Sequence, residues 1–314
     1  MQPGDPLRPT DFLSLADLDR AALLELLAAA AGYKRARPHG PAAWLAGSHV
    51  ALVMEKASTR TRVSFEVAVR ELGGHVTILT TDGTQLGRGE PIEDTARVLD
   101  RFCHAIVFRT AGDDRLQRMA AAARGPVINA LTDREHPCQI VADLLTTREH
   151  KGTLDVGYAW IGDGNNMAHS WLHAAGLLGL RLALACPPGH QPDPAIVAAA
   201  RAGGATITLV ERPEQAAAGA DVVMTDVWAS MGQEHEARAR AAAFAGFLVD
   251  EALLAHAAAD AIVLHCLPAH RGEEIAAAII DGPRGAAIWD QAENRLHTSK
   301  AILERAFTGA ARGP

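Results

Sequence analysis

Short apolar runs rich in β-branched residues recur along this chain, and each is followed by a stretch with helical spacing. That alternation is the pattern of parallel α/β structure, because parallel strands need long crossover connections and are buried on both faces. In the first half the expected strands are His49–Met54, His75–Thr80, Ala105–Arg109 and Pro126–Ala130. Between the first two, Phe65, Ala68, Val69 and Leu72 share one face of a helix that Gly73-Gly74 should stop. A helix over Ile92–Phe102 follows Pro91 and carries Glu93 and Asp94 in its first turn. A longer helix, about Gln139 to His150, precedes a second series of strands: Tyr158–Ile161, Leu182–Cys186, Thr206–Val210, Val222–Thr225 and Ile262–His265. The expectation is an α/β chain of two similar domains, 1–150 and 151–314, each a parallel sheet flanked by helices. The boundary falls near Lys151-Gly152, and the last helix, from Glu293, is long enough to return to the first domain.

At 314 residues the chain has room for two cores of ordinary size. Its net charge of −7 argues against general binding to nucleic acid or anionic membranes, so the basic cluster Arg60, Arg62 and Arg70 reads as a site. Cys103, Cys138, Cys186 and Cys266 are scattered without a CxxC pair, which points to neither a disulfide scaffold nor a zinc site and fits a reduced cytoplasm. Met1 to Thr10 lacks a signal or transit pattern, and no apolar run reaches the length of a membrane span. The alanine-rich windows Ala198–Ala200 and Ala216–Ala218 are helix-forming filler.

In such sheets ligands collect at the carboxyl ends of strands, and the unusual residues lie there. Ser58-Thr59-Arg60-Thr61-Arg62 follows the first strand and opens a helix. Serine and threonine are ordinary N-caps, but two arginines in a first turn oppose the helix dipole unless an anion compensates them. The segment is therefore read as a phosphate holder. Arg109 ends a strand; it is either the chain emerging into water or a charge aimed into an inter-domain cleft. His136-Pro137-Cys138-Gln139 precedes a helix, and His136 and Gln139 can aim donors at one small ligand, polarising a carbonyl without a metal.

Gly162-Asp163-Gly164-Asn165-Asn166-Met167 invites a dinucleotide reading, but Met167 stands at the third glycine position and Ala185-Cys186-Pro187 supplies no carboxylate for a ribose. Asn165 and Asn166 read better as small-molecule contacts. Asp226, ending a strand four residues before Ser230-Met231-Gly232, either caps a turn or receives an ammonium group. Cys266, between His265 and Leu267-Pro268, is by type a buried small hydrophobe, though its strand-end position favours the cleft. His169 and His173 have metal-ligand spacing but no acidic partner nearby, and are taken as structural.

Together these segments resemble the ornithine carbamoyltransferases of the aspartate/ornithine carbamoyltransferase superfamily, from about Asp11 to the C-terminal helix. The likeness rests on Ser58 to Glu66, Gln85 to Pro91, Phe108-Arg109-Thr110, His136 to Gln139, Gly162 to Asn166, Asp226 to Gln233 and His265 to Pro268. It departs at Ala57, where the family more often has proline. The resemblance implies carbamoyl transfer from carbamoyl phosphate to the δ-amino group of L-ornithine, with no cofactor and no metal. It implies that Ser58, Thr59, Arg60 and Thr61 hold the phosphate and that Arg109, His136, Pro137, Cys138 and Gln139 bind the carbamoyl part. It also implies that Cys266 and Leu267 lie between the substrates, that Arg295 closes over carbamoyl phosphate, and that Asn166, Asp226, Ser230 and Met231 bind ornithine. Gln85 would reach a neighbouring subunit's site in a homotrimer or an assembly of trimers.

An oxyanion and a phosphate leaving group both need fixed cations and N–H donors, and the nucleophile is the substrate's own amine. The proton from that amine has three candidate acceptors: the departing phosphate, Asp226 and Cys266. Acetylornithine, putrescine or aspartate as acceptor, a non-catalytic regulatory homologue, and a dinucleotide-dependent oxidoreductase are the competing readings.

Overall fold

All but the first residue of His49–Met54 are buried, as a central parallel strand requires. In the computed structural model of the chain, which describes residues 10–37, 43–229, 237–311 and 313, this run is strand β1. The contacts divide the chain into two units, the first running to Ala142 and resuming at Asn294, the second spanning Asp143–Glu293.

In the first unit, helix α1 (Arg20–Ala36) precedes β1, followed by α2 (Thr59–Glu71), β2 (His75–Thr80), α3 (Ile92–Phe102), β3 (Ala105–Arg109), α4 (Asp113–Ala122) and β4 (Val127–Leu131). The strands pair in parallel in the order β2-β1-β3-β4. Phe65, Ala68, Val69 and Leu72, the expected apolar face of α2, are all buried, and an aromatic side chain so buried contributes roughly 2–3 kcal/mol. Gly73 closes the helix at φ +82°, and a Cβ there would sit 2.7 Å from that of Ala43. Strand β4 starts one residue later than expected, because Pro126 offers the ladder only its carbonyl, which accepts from Ile106 N. Beside β4 lies a segment without a strong strand pattern: Phe12 bridges Ile128 in parallel, and Asp11 accepts from Val127 N.

Helix α5 (Pro137–Lys151) starts at Pro137, two residues earlier than expected, since proline suits the first helical turn. The second unit continues with β5 (Gly157–Ile161), α6 (Asn166–Leu178), β6 (Arg181–Ala185), α7 (Pro194–Ala202), β7 (Thr206–Val210), α8 (Pro213–Ala217) and β8 (Val222–Thr225). After it come α9 (Ala237–Ala243), α10 (Glu251–Leu254), β9 (Ile262–His265) and α11 (Ala277–Ile280). The order β7-β6-β5-β8-β9 is again all parallel. Helix α12 (Ala286–Thr308) begins before Glu293 and carries the chain back, so that its residues from Asn294 belong to the first unit. The expected fold class is the one observed: two parallel sheets flanked by helices. Among the described residues no helix is long and apolar enough to cross a membrane.

Each strand order reverses once, between β1 and β3 in one sheet and between β5 and β8 in the other. At such a reversal the helices following the two neighbouring strands leave on opposite faces, which opens a crevice at the carboxyl ends.

Candidate active site

The first reversal is strapped at its end. Glu55 N donates to the Arg109 carbonyl at 2.9 Å, and the Glu55 carboxylate accepts from Arg115 Nε at 3.1 Å, from Arg115 Nη2 and from Thr110 Oγ1. The β3–β4 register shifts between Phe108 and Arg109, a break that re-aims the residue after it. Ser58 is the N-cap of α2 and accepts from Thr61 N at 3.3 Å, so the helix N-terminus, with its amides and positive dipole end, opens beside Arg109.

Around this point the structure gathers Thr61, His136, Gln139 and Arg295, all buried. Arg295 Nη1 donates to Gln139 Oε1 and lies 3.4 Å from His136 Nε2, while Nη2 donates to Thr61 Oγ1 at 3.3 Å. An arginine only donates, so His136 presents Nε2 as an acceptor. Burial first, then the charges of Arg295, Arg109 and Arg60, hold the His136 pKa well below its usual value. The imidazole is therefore neutral at neutral pH, and the half-buried Arg60 is close enough for its charge to act on it. Cys138 donates its thiol to the Asn129 carbonyl at 3.2 Å, and burial pushes that thiol up to about 12, which removes it as a nucleophile. The cluster is buried, bonded and positively charged.

The second reversal carries the opposite charge. Asp226, buried at the end of β8, accepts from Asn165 Nδ2 at 3.0 Å, from Val227 N at 2.8 Å and from the Cys266 thiol at 3.1 Å. Asn165, from the β5 side, also caps α6 by accepting from the amides of Met167 and Ala168. Asn166 is the first residue of α6 and half-buried. Gly164 is explained by crowding: a Cβ there would lie 2.2 Å from Pro192 N. The loop beyond β9 is pinned by His265, which accepts from Leu267 N at 2.8 Å and meets Glu274 Oε1 at 2.9 Å. Leu267 has φ 59° and is followed by a cis Pro268.

Of the sequence-predicted residues, Thr61, His136, Gln139 and Arg295 are bonded together in the first unit, with Arg60 and Arg109 acting on His136. Ser58 and Thr59 lie at the head of α2, and Pro137 and Cys138 at the head of α5. Gln85 is exposed at the start of a 3-10 turn, Gln85–Arg88, outside that bonded group. Asp226 and Cys266 meet in the second unit, with Leu267 next in the chain. Ser230 and Met231 lie outside the described residues. His169 is structural as expected, accepting from Asp193 N at 3.0 Å. Asp226, His265 and Cys266 have ligand atoms within 4.8 Å of one another, as do His270, Glu273 and Glu274; in the first group His265 already uses both nitrogens.

Some bonds behind the site were not read from the sequence. Arg240 donates to Asp163 and to the Trp228 carbonyl, and Ser14 donates to Glu135. These partners are far apart in the chain, and no local pattern marks them.

One sheet thus reverses beside a cationic cluster and the other beside a buried carboxylate, an arrangement suited to ligands of opposite charge. The sequence model of the aspartate/ornithine carbamoyltransferase carbamoyl-P binding domain matches residues 10–149, and that of the Asp/Orn binding domain matches 154–306. The chain belongs to this family. It is 61% identical over 259 residues to the ornithine carbamoyltransferase of Acidothermus cellulolyticus, covering 81% of this chain and 83% of that one. It is 50% identical to that of Geobacter metallireducens, covering 93% and 97%. The crystal structure of ornithine carbamoyltransferase from Thermus thermophilus superposes with a TM-score of 0.87 at 40% identity, covering 95% and 99%. The structure of the Pyrococcus furiosus ornithine carbamoyltransferase superposes with a TM-score of 0.91 at 43% identity, covering 97% and 98%.

Proposed function

We propose that the chain transfers the carbamoyl group of carbamoyl phosphate to the δ-amino group of L-ornithine, giving L-citrulline and phosphate. The observation that carries this reading is the bonded cluster of Thr61, His136, Gln139 and Arg295 beside Arg60 and Arg109. A buried cation group of this kind is built for a phosphoryl dianion next to a polarised carbonyl. Arg60 and the head of α2, with Ser58, Thr59 and Thr61, take the phosphate. Arg109, His136 and Gln139 face the carbamoyl oxygen, with Pro137 and Cys138 shaping the turn, and Arg295 bridges the two parts.

Asp226, with Asn166, Ser230 and Met231, takes the α-amino and carboxylate end of ornithine, and Cys266 and Leu267 contact both substrates. The neutral δ-amine attacks the carbonyl carbon. A C–N bond forms as the carbonyl π electrons move to oxygen, and the oxyanion meets donors already in place. The oxyanion then collapses, the C–O bond to phosphate breaks, and phosphate leaves with that electron pair while the ammonium gives its proton to the departing phosphate, Asp226 or Cys266. Nothing in this sequence asks the protein for a nucleophile.

The same reading makes the chain a cytoplasmic homotrimer or an assembly of trimers, with Gln85 serving a neighbouring subunit's site. One parallel assay tests the function: carbamoyl phosphate with ornithine, acetylornithine, putrescine and aspartate, reading the carbamoylated product. Citrulline formation with ornithine should exceed every other product; turnover confined to another amine would replace ornithine as the acceptor. Sedimentation tests the assembly, and a monomer active at assay concentration would remove the trimer.

A further inference from the structure

The residue directly before His136 is a buried carboxylate. Glu135 is only 6% exposed, and its backbone is closed on Thr132 at both ends. Thr132 N donates to the Glu135 carbonyl at 2.9 Å, and Glu135 N donates to Thr132 Oγ1 at 3.2 Å. Its side chain reaches into the N-terminal segment, where Ser14 Oγ lies 2.8 Å from both carboxylate oxygens and donates to them, and the Leu15 amide donates as well. The same hydroxyl accepts from Ala16 N at 3.0 Å, so both its donor and acceptor sides are used.

Ser14 is itself anchored. The segment before it runs along β4, with Phe12 N donating to the Val127 carbonyl, Asn129 N to the Phe12 carbonyl and Asn129 Nδ2 to the Leu13 carbonyl, all at 2.8–2.9 Å. A chain of bonds thus leads from the sheet edge through Ser14 to the peptide that carries the His136 ring.

We propose that Ser14 and Glu135 form a positioning pair for His136, through which the N-terminal segment sets the imidazole against the carbamoyl phosphate site. The proposal rests on the function given above. Neither residue touches substrate; they act by fixing the torsions on the N-terminal side of His136.

The pair also ties positioning to pH. Burial, ahead of the opposing bonds from Ser14 and Leu15, raises the Glu135 pKa to about 7, and the charges of Asp113 at the head of α4 and Asp17 in the 3-10 turn push the same way. On its own loop stand Asp133, engaged with Lys56 at 2.7 Å, and Arg134; beyond His136 stand Arg60, Arg109 and Arg295. A hydroxyl bond to an ionised acceptor is the stronger one, so the clamp tightens as pH rises through 7.

The test compares wild type, Ser14→Ala, Ser14→Thr and Glu135→Gln between pH 6 and 9. It reads kcat and KM for both substrates and, independently of the acceptor, calorimetric binding of carbamoyl phosphate alone. Ser14→Ala should weaken carbamoyl phosphate binding and kcat/KM about tenfold, the effect of a slightly misplaced His136 ring, and leave the KM for ornithine within twofold. Ser14→Thr, which keeps the hydroxyl, should restore both. The affinity ratio of wild type to Glu135→Gln should rise from pH 6 to 8.

A Ser14→Ala enzyme with lowered melting temperature but unchanged carbamoyl phosphate affinity would overturn the proposal, as would equal losses for both substrates. If wild type binds carbamoyl phosphate but does not use ornithine, the acceptor assignment fails while the binding arm still decides the pair. If wild type does not bind carbamoyl phosphate, both readings fall.

Discussion

Both units build their site where a parallel sheet reverses, yet the two sites differ in charge and in how they are held. In the first unit, Arg60, Arg109 and Arg295 surround a buried neutral histidine, and Arg295 is fixed by Gln139 and Thr61. In the second, a single carboxylate, Asp226, is held by an amide, a backbone N–H and a thiol. Cations preset in a water-poor site favour a dianion and the charge that develops as it departs. A carboxylate with neutral partners favours an ammonium group and discriminates by where it holds the amine. On the proposed assignment the same topology serves opposite chemistries, because the residues after the strands, and not the strands, set the charge each sheet offers a ligand.

The comparison breaks most directly at its cationic half. Arg60→Ala should lower kcat/KM about 1,000-fold while leaving the circular dichroism spectrum unchanged, since a half-buried residue in the first turn of α2 is removed and, on the proposed assignment, a fixed transition-state cation is lost. Activity within tenfold of wild type would remove Arg60 from the phosphate site. Asp226→Asn tests the other half: it keeps the shape and removes the charge. The expected loss is about 100-fold in kcat/KM for ornithine, with carbamoyl phosphate affinity changed less than threefold. Equal damage to both substrates would show that the two sites do not divide the labour as described.

A third, smaller effect separates the halves by pH. The His136 pKa is held well below its usual value by burial and by Arg295, Arg109 and Arg60, so this ring does not titrate on the alkaline side. The amine acceptor does. The kcat/KM for ornithine should therefore rise with pH by up to tenfold per unit above 7 until the amine is largely neutral, and a flat profile from pH 6 to 9 would contradict attack by a free amine.

Stability moves the same way for a different reason. A histidine whose folded pKa is lowered stabilises the fold above its unfolded value near 6.5, and that stabilisation is lost as pH falls below it, at about 1.4 kcal/mol per unit. Melting temperature should thus fall less steeply from pH 6.5 to 5 in His136→Gln than in wild type.

How much of this was legible beforehand follows from which interactions are local. The strand runs, the face of α2 and the helix over Ile92–Phe102 are written in periodicities of a few residues, and they appear where that periodicity puts them. Edges moved where one atom decided, as at Pro126, which lacks a ladder N–H. Phe12 has no strand pattern around it, and its pairing with Ile128 follows only from the exposed edge of β4. In the site, Arg60, Arg109 and His136 stood out because they sit at or beyond strand ends, whereas Arg295, inside α12, was marked only by the family resemblance. Their supports did not: Ser14 and Glu135 are 121 residues apart, and Arg240 and Asp163 are 77 apart. Contacts at that separation depend on the finished fold. Asn165 is an instructive case, readable as a ligand contact yet spending its oxygen on the α6 amides and its nitrogen on Asp226.

The smallest effect concerns Cys266. Its thiol donates to Asp226 Oδ1 at 3.1 Å, and a covalent role can be separated from a supporting one. If the sulfur attacked the carbamoyl carbon, Cys266→Ala would abolish turnover and a trapped carbamoyl-enzyme would form in wild type without ornithine. If it only helps hold the carboxylate, the variant loses one bond to a charged acceptor, about 1.5 kcal/mol or roughly tenfold in kcat/KM for ornithine. The second outcome is expected, because in the proposed reaction the substrate amine is the nucleophile and Asp226 keeps its bonds from Asn165 and Val227. Cys266→Ser, which restores a hydroxyl donor at a shorter reach, should recover part of the loss. Mass spectrometry of wild type incubated with carbamoyl phosphate alone provides the complementary reading: an added carbamoyl mass on the peptide containing Cys266 would reverse the assignment and move the covalent chemistry into the second unit.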